Sequence, residues 1–195
     1  MRMSRGERKV TASSLTRRRM ASRIGVTLPG LPLVIAGSNT HVAWGFTNTH
    51  GDWTDLVIVN VDPQDATRYL TAQGPASFEL ATEIIQVRGQ SPESLTVTRT
   101  QWGPVVGKDS TGRPLALAWT AHRPEATNLR MLGFETARTV EEALQVANQS
   151  GAPVQNFVAA DATGSIGWTL FGQIPVRDGY DSRFPSDWSK PATGW

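Results

Sequence analysis

From Ile24 onward the chain runs as short apolar stretches broken by turn formers, and one segment alone repeats its apolar residues at helical spacing. Residues 31–37 end at Gly37, and residues 41–46 follow after Ser38-Asn39-Thr40, a tight-turn tripeptide, so the pair reads as two strands. Residues 55–61 (DLVIVNV) are β-branched enough for a buried strand. Residues 67–72 and 78–88 form the next pair, divided by Gly74-Pro75. Broken alternation near Glu83 predicts a bulge there. Residues 94–102 alternate, with Leu95, Val97 and Arg99 on one side, and residues 103–107 and 114–120 complete a meander. The helix is predicted from Thr139, an N-cap with Glu142 three residues on. Val140, Ala143, Leu144 and Ala147 share its apolar face, and Gly151 ends it. Residues 154–160 and 166–173 are two further strands, joined by Asp161-Ala162-Thr163-Gly164. Residues 178–195 are turn-rich and read as interrupted. Many strands, one helix and two strands give an α+β, mostly-β class.

The 195 residues suffice for one domain with a core. Eighteen glycines, twelve prolines and seven tryptophans favour turn-linked β structure. With no cysteine, disulfide frameworks and thiolate chemistry are excluded. The net charge of +2 conceals an asymmetry. Residues 1–24 hold eight of the 19 basic residues and one acid, Glu7, which leaves 11 basic against 16 acidic residues beyond them, a net of −5. A nucleic-acid-binding face would spread its basic residues over folded structure, so nucleic acid is not expected as a partner. No apolar run approaches membrane-spanning length. The first 24 residues read as a basic, disordered or out-of-frame tail: Arg17-Arg18-Arg19 lacks the apolar segment of a twin-arginine signal.

Three segments carry a resemblance. Gly25-Val26-Thr27-Leu28-Pro29-Gly30-Leu31-Pro32 runs into Gly37-Ser38-Asn39. Val42-Ala43-Trp44-Gly45-Phe46-Thr47-Asn48 is followed by Gly51-Asp52-Trp53-Thr54-Asp55-Leu56. Gln155-Asn156-Phe157-Val158-Ala159-Ala160-Asp161 leads to Gly164-Ser165-Ile166-Gly167 and Gly172-Gln173-Ile174-Pro175-Val176-Arg177. In this order and spacing, residues 24–195 resemble the penicillin acylase (penicillin amidase) family of N-terminal-nucleophile hydrolases. Trp102-Gly103-Pro104 departs from the family's usual His-Gly-Pro. The resemblance implies a partial αββα sandwich over residues 25–195, part of a β subunit cut from a precursor. It also implies hydrolysis of linear amides, such as β-lactam side chains or acyl-homoserine lactones, and a periplasmic or extracellular location for the intact family member.

Amide hydrolysis needs an activated nucleophile and donors for the oxyanion. The family's terminal serine is not matched: the chain begins at Met1, removal of which exposes Arg2, and Ser4, Ser13, Ser14 and Ser22 lie too near Asn48 for the family spacing. No nucleophile is assigned, so the chain alone is expected to be inactive, with the α subunit and the rest of the β subunit as partners. The resemblance places the backbone N–H of Asn48 and the side-chain amide of Asn156 as oxyanion donors, with Arg177 orienting the site. It also implies a structural Ca²⁺ held by Asp52, Asp55 and the Thr54 carbonyl, hard oxygen ligands in one loop; no organic cofactor is expected. On the residues alone, a turn asparagine, a buried amide, a solvated arginine and Asx turns remain the ordinary readings of these positions. His41, His50 and His122 show no ligand spacing. Trp44, Trp119 and Trp168 read as core, and Phe46 and Phe78 as core or acyl-pocket residues. The competing reading is a non-catalytic β-rich binding or scaffold domain that has lost its chemistry. A partial sheet exposes unpaired edges, which predicts an aggregation-prone chain.

Overall fold

The structure, a computed structural model, describes residues 22–195. The tail up to residue 21, including Ser4, Ser13 and Ser14, lies outside the described residues.

The first antiparallel sheet contains β1 (Ile24–Val26), β2 (Ala36–Ser38), β3 (Val42–Asn48), β12 (Gln155–Asp161) and β13 (Ile166–Phe171), in that order across the sheet. Strands β3 and β12 pair over seven positions, from Gln155 opposite Asn48 to Asp161 opposite Val42. Period-two alternation decides the faces. Trp44, Phe157, Ala159 and Phe171 point to one side and are buried there with Phe134 and the apolar stripe of α1 (Val140–Gln149). The other side carries Asn156, Val158, Ile166 and Trp168, the last three 48%, 81% and 59% exposed.

The helix forms as its cap predicts: the Glu142 N–H donates to Thr139 Oγ1 at 3.2 Å. The Glu142 carboxylate accepts from Arg138 N rather than closing a box on Thr139. Its end differs from the expectation. Ser150 caps the C-terminus in extended geometry, and Gly151 has no positive φ. Glycine stands there because a Cβ would lie 2.4 Å from the Glu125 carbonyl oxygen. The Val140 N–H, one of the helix's unpaired first-turn donors, is taken by Asp161 Oδ2 at 3.2 Å.

The second sheet has the order β4 (Thr54–Ile58), β11 (Pro114–Trp119), β10 (Gly103–Lys108), β9 (Glu93–Thr100) and β8 (Glu79–Ile85). A small third sheet, β5 (Val61–Asp62), β6 (Asp65–Thr71) and β7 (Gly74–Ser77), packs Tyr69 against it. Three expectations change here. Gly74-Pro75 opens β7 instead of dividing two longer strands. The β8–β9 register runs unbroken from Glu79 opposite Arg99 to Ile85 opposite Glu93, so there is no bulge at Glu83. The irregularities fall at Val105/Gly107 and Val61/Asp62. Within Trp102-Gly103-Pro104, Gly103 takes φ 149°, and a Cβ on it would sit 2.0 Å from the Leu117 carbonyl oxygen. Trp102 packs on Tyr69 and Trp188.

Residues 178–195, turn-rich as expected, pack on the second sheet. Ser186 bridges in parallel to Val57 and exchanges backbone hydrogen bonds with Leu56 and Ile58, continuing the second sheet beyond β4. Trp188 is 6% exposed in the second core, and Asp178 and Gly194 pair to close the segment into a loop. Among the described residues no helix is long and apolar enough to cross a membrane.

Candidate active site

The β3–β12 register sets the Asn156 side chain beside the end of β3. Asn156 lies opposite Thr47. Its Nδ2 donates to Thr47 Oγ1 and to the Asn48 carbonyl, both at 3.2 Å. Its Oδ1 accepts from Trp168 Nε1 at 3.1 Å. That indole fixes which end of the amide faces β3, because Oδ1 alone can accept. The two expected oxyanion residues are therefore neighbours on adjacent strands. Asn156 presents its amide on the sheet face away from α1, at the end where the chain leaves β3, whereas Asn48 has the parity of the α1 face and meets it through its backbone.

Arg177 makes no hydrogen bond to either of them and bonds the Asp52–Asp55 segment instead. Its Nε donates to Asp55 Oδ2 at 2.9 Å, and its Nη2 lies 3.1 Å from both Asp52 Oδ2 and the Asp52 carbonyl oxygen. Nη2 also lies 3.5 Å from the Thr54 carbonyl. Asp55 is 4% exposed, and its Oδ2 also accepts from Tyr180 OH at 2.9 Å and Trp195 Nε1 at 2.6 Å. Burial disfavours the Arg177 charge, but the bond to Asp55 and the charges of Asp55 and Asp52 outweigh it and raise its pKa. Burial, followed by the bond to Asp55 and that carboxylate's charge, pushes the Tyr180 hydroxyl well above the ordinary phenol range.

Asp52, Thr54 and Asp55, the expected calcium ligands, thus converge on a guanidinium. The fit to calcium is poor. Arg177 already takes the Asp52 and Thr54 carbonyls and one oxygen of each carboxylate, and Asp55 Oδ1 alone does not make up the six to eight oxygens that calcium takes. Among the described residues no three His, Cys, Asp or Glu side chains gather to hold a metal.

A cleft of about 440 Å³ opens at the same end of β3. Asn48, His50, Trp53, Trp119, Gln155 and Gln173 line it, and among the described residues no Asp, Glu, Lys or Arg does. His50 turns the chain with φ 51°. The Trp53 ring lies over Gly51, where a Cβ would meet it at 2.0 Å. Trp119 is 43% exposed and meets His122 edge to face at 5.2 Å. One expectation reverses here. Trp119 and Trp168, read as core, are exposed, while Trp44 is core as expected. Of the two readings left open for Phe46 and Phe78, core packing is the one seen: Phe46 packs on Phe157 and Phe171, and Phe78 on Tyr69. Parity along the strand could have flagged Trp168, since Phe157 and Ala159 point inward and Val158, which pairs with it, must point out.

A family model for penicillin amidase matches residues 12–195, starting ahead of the boundary read at Ile24. The chain belongs to the penicillin amidase family. Among curated relatives, an acyl-homoserine lactone acylase QuiP of Pseudomonas fluorescens (strain Pf0-1) is 29% identical over 196 residues, covering 88% of this chain and 24% of that protein. QuiP of Pseudomonas aeruginosa is 30% identical over 206 residues, with the same coverages of 88% and 24%. The chain thus spans about a quarter of the length of these relatives. A solved penicillin G acylase from Alcaligenes faecalis superposes with a TM-score of 0.74 at 27% identity, over 92% of this chain and 33% of that one. The mostly-β arrangement is therefore a part of the penicillin amidase fold, and the named relatives are acylases.

The family segments hold structural residues that sequence reasoning passed over. Asn39 is 1% exposed, and its amide makes four hydrogen bonds: Nδ2 to the Phe134 and Ala137 carbonyls, and Oδ1 from the His41 and Val42 N–H groups. Tyr180 and Trp195 carried no motif, and only the buried Asp55 they serve reveals their part.

Proposed function

We propose that the Asn48–Asn156 pair is the oxyanion-binding part of a linear-amide hydrolase of the penicillin amidase family, acting on acyl amides such as acyl-homoserine lactones or β-lactam side chains. The observation that supports it is the placement of Asn156 Nδ2 3.2 Å from the Asn48 carbonyl on the neighbouring strand. As a nucleophile adds to the substrate carbonyl, charge collects on its oxygen. An oxyanion is a stronger acceptor than the neutral Thr47 hydroxyl or Asn48 carbonyl, so it draws one Nδ2 hydrogen away from them. The Asn48 N–H is the second donor. The Trp168 indole keeps the Asn156 amide from flipping, so the donor is aimed before charge develops. The Trp53–Trp119 cleft receives an uncharged substituent of the scissile amide. In this reading the attacking group belongs to polypeptide outside the chain, and the partner is the remainder of a precursor.

The test uses the full chain with a chromogenic phenylacetyl anilide and, in parallel, phenylacetate as a carboxylate probe in amide NMR. The expected result is no turnover, together with shifts of the Asn48 N–H and the Asn156 side-chain NH₂. Turnover that survives Asn156→Ala, or probe binding that leaves both signals unmoved, overturns the assignment. A second reading, a scaffold without chemistry, is favoured by one observation: both Nδ2 and Oδ1 of Asn156 already have partners within the sheet. Under that reading the probe moves neither signal.

A further inference from the structure

We infer that Arg177 is the resident cation of the Asp52–Asp55 loop and holds it without a bound metal. The loop is the end of the connection from Asn48 together with the first two residues of β4, Thr54 and Asp55. On one side it is tied to β11 by the Thr120 N–H donating to the Trp53 carbonyl at 3.2 Å. On the other, the Arg177 fork reaches the carboxylates of Asp55 and Asp52 and the carbonyls of Asp52 and Thr54. A guanidinium suits this because its donors lie in one plane and spread over several acceptors at once, where an ammonium is a point charge. The Arg177 side chain is 19% exposed and that of Asp55 2%, so this is a partly buried pair, and removing one partner strands the other.

Three donors of different kinds meet at a single carboxylate oxygen, Asp55 Oδ2: a guanidinium, a phenol and an indole. The phenol also accepts from the indole, Trp195 Nε1 to Tyr180 OH at 3.0 Å. Tyr180 and Trp195 are therefore positioning residues for the carboxylate that positions Arg177. A metal on the same oxygens would have to displace the guanidinium and would leave it without its acceptors. The two acids and one base retain a net charge of −1, so weak attraction of cations persists and a chelation experiment is informative. The inference involves no substrate and stands apart from the catalytic reading.

The experiment is thermal unfolding of the full chain in millimolar EDTA and in millimolar CaCl₂, followed by Arg177→Gln and Tyr180→Phe. Equal midpoints in chelator and calcium are expected for the unaltered chain. Arg177→Gln is expected to lower the midpoint by about 10 °C, and Tyr180→Phe by about 3 °C. A midpoint that drops in EDTA, or rises saturably with calcium, overturns the inference. So does an Arg177→Gln midpoint within a degree of the parent. Should Arg177→Gln fail to fold, the chelator comparison on the unaltered chain and the Tyr180→Phe shift still decide.

Discussion

Strands β12 and β8 are the same length, and each pairs with its neighbour over most of its run, yet they end in different surroundings. In β12, Phe157 and Ala159 are 0% and 1% exposed under α1. In the β8–β9 hairpin, Leu80, Ile84, Ile85 and Leu95 are 46% to 69% exposed, and no helix among the described residues lies over them. The first sheet buries one face, so each inward residue has neighbours to lose. The hairpin is held by its backbone ladder and by ion pairs on its surface, such as Arg99 to Glu79 at 3.5 Å. Apolar content does not distinguish the two regions. A third layer of structure does.

The largest effect that would break this contrast is at Phe157. Phe157→Ala is expected to cost about 4 kcal/mol, because the ring stacks on Phe134 at 4.8 Å with no exposed surface. Leu80→Ala in the hairpin is expected to stay within about 0.5 kcal/mol. Urea unfolding of both variants measures the pair, and equal losses would remove the distinction. Next comes Asn39→Ala. It leaves two carbonyls and two N–H groups near a buried turn without their partner, a loss of roughly 2–4 kcal/mol that urea midpoints report.

The smallest effect is acid dependence at Asp161. Hydrogen bonds from Thr163, followed after some opposing desolvation by the N–H groups of Val140, Thr163 and Ser165, lower its pKa. A carboxylate depressed in the folded state stabilises above its unfolded value, and the contribution is lost as pH falls through the folded value. The melting midpoint of Asp161→Asn should therefore lie below that of the parent near neutrality. The two curves should converge as pH drops below about 4. Parallel curves down to acid would show that the Asp161 charge does not support the α1 terminus.

What could be read from sequence follows the same division. In the first sheet, β3, β12, β13 and α1 were legible because burial on one face forces alternation on strands and a stripe on the helix. Trp44, Val140, Ala143 and Ala147 are buried as that pattern requires. Around the hairpin the pattern misled: Ile84 and Ile85 looked like a disturbed inward face, but they sit in an unbroken ladder open on both sides. In the candidate site, the nearness of Asn48 to Asn156 came from the resemblance and depends on a register that one sequence cannot show. The Arg177–Asp55 contact spans 122 residues and left no local signal. Trp53 and Trp119 were illegible as cleft residues because an aromatic side chain at a strand end has the same spacing whether it faces a core or an opening.

The closure of the second core by Ser186, Trp188 and Trp195 bears on the order in which this chain can fold. Val57 and Val59 are fully buried, but part of what covers them is more than a hundred residues later in the chain. Closing so long a loop costs entropy before any contact forms, and contacts of high sequence separation slow folding. During synthesis from the N-terminus, β4 and β11 can pair while the flank of β4 and the lone carboxylate of Asp55 still face water. Tyr180 and Trp195 reach that carboxylate only once residues 180–195 have been made. A chain cut before Tyr180 would therefore lack two of the three donors that meet on Asp55 Oδ2.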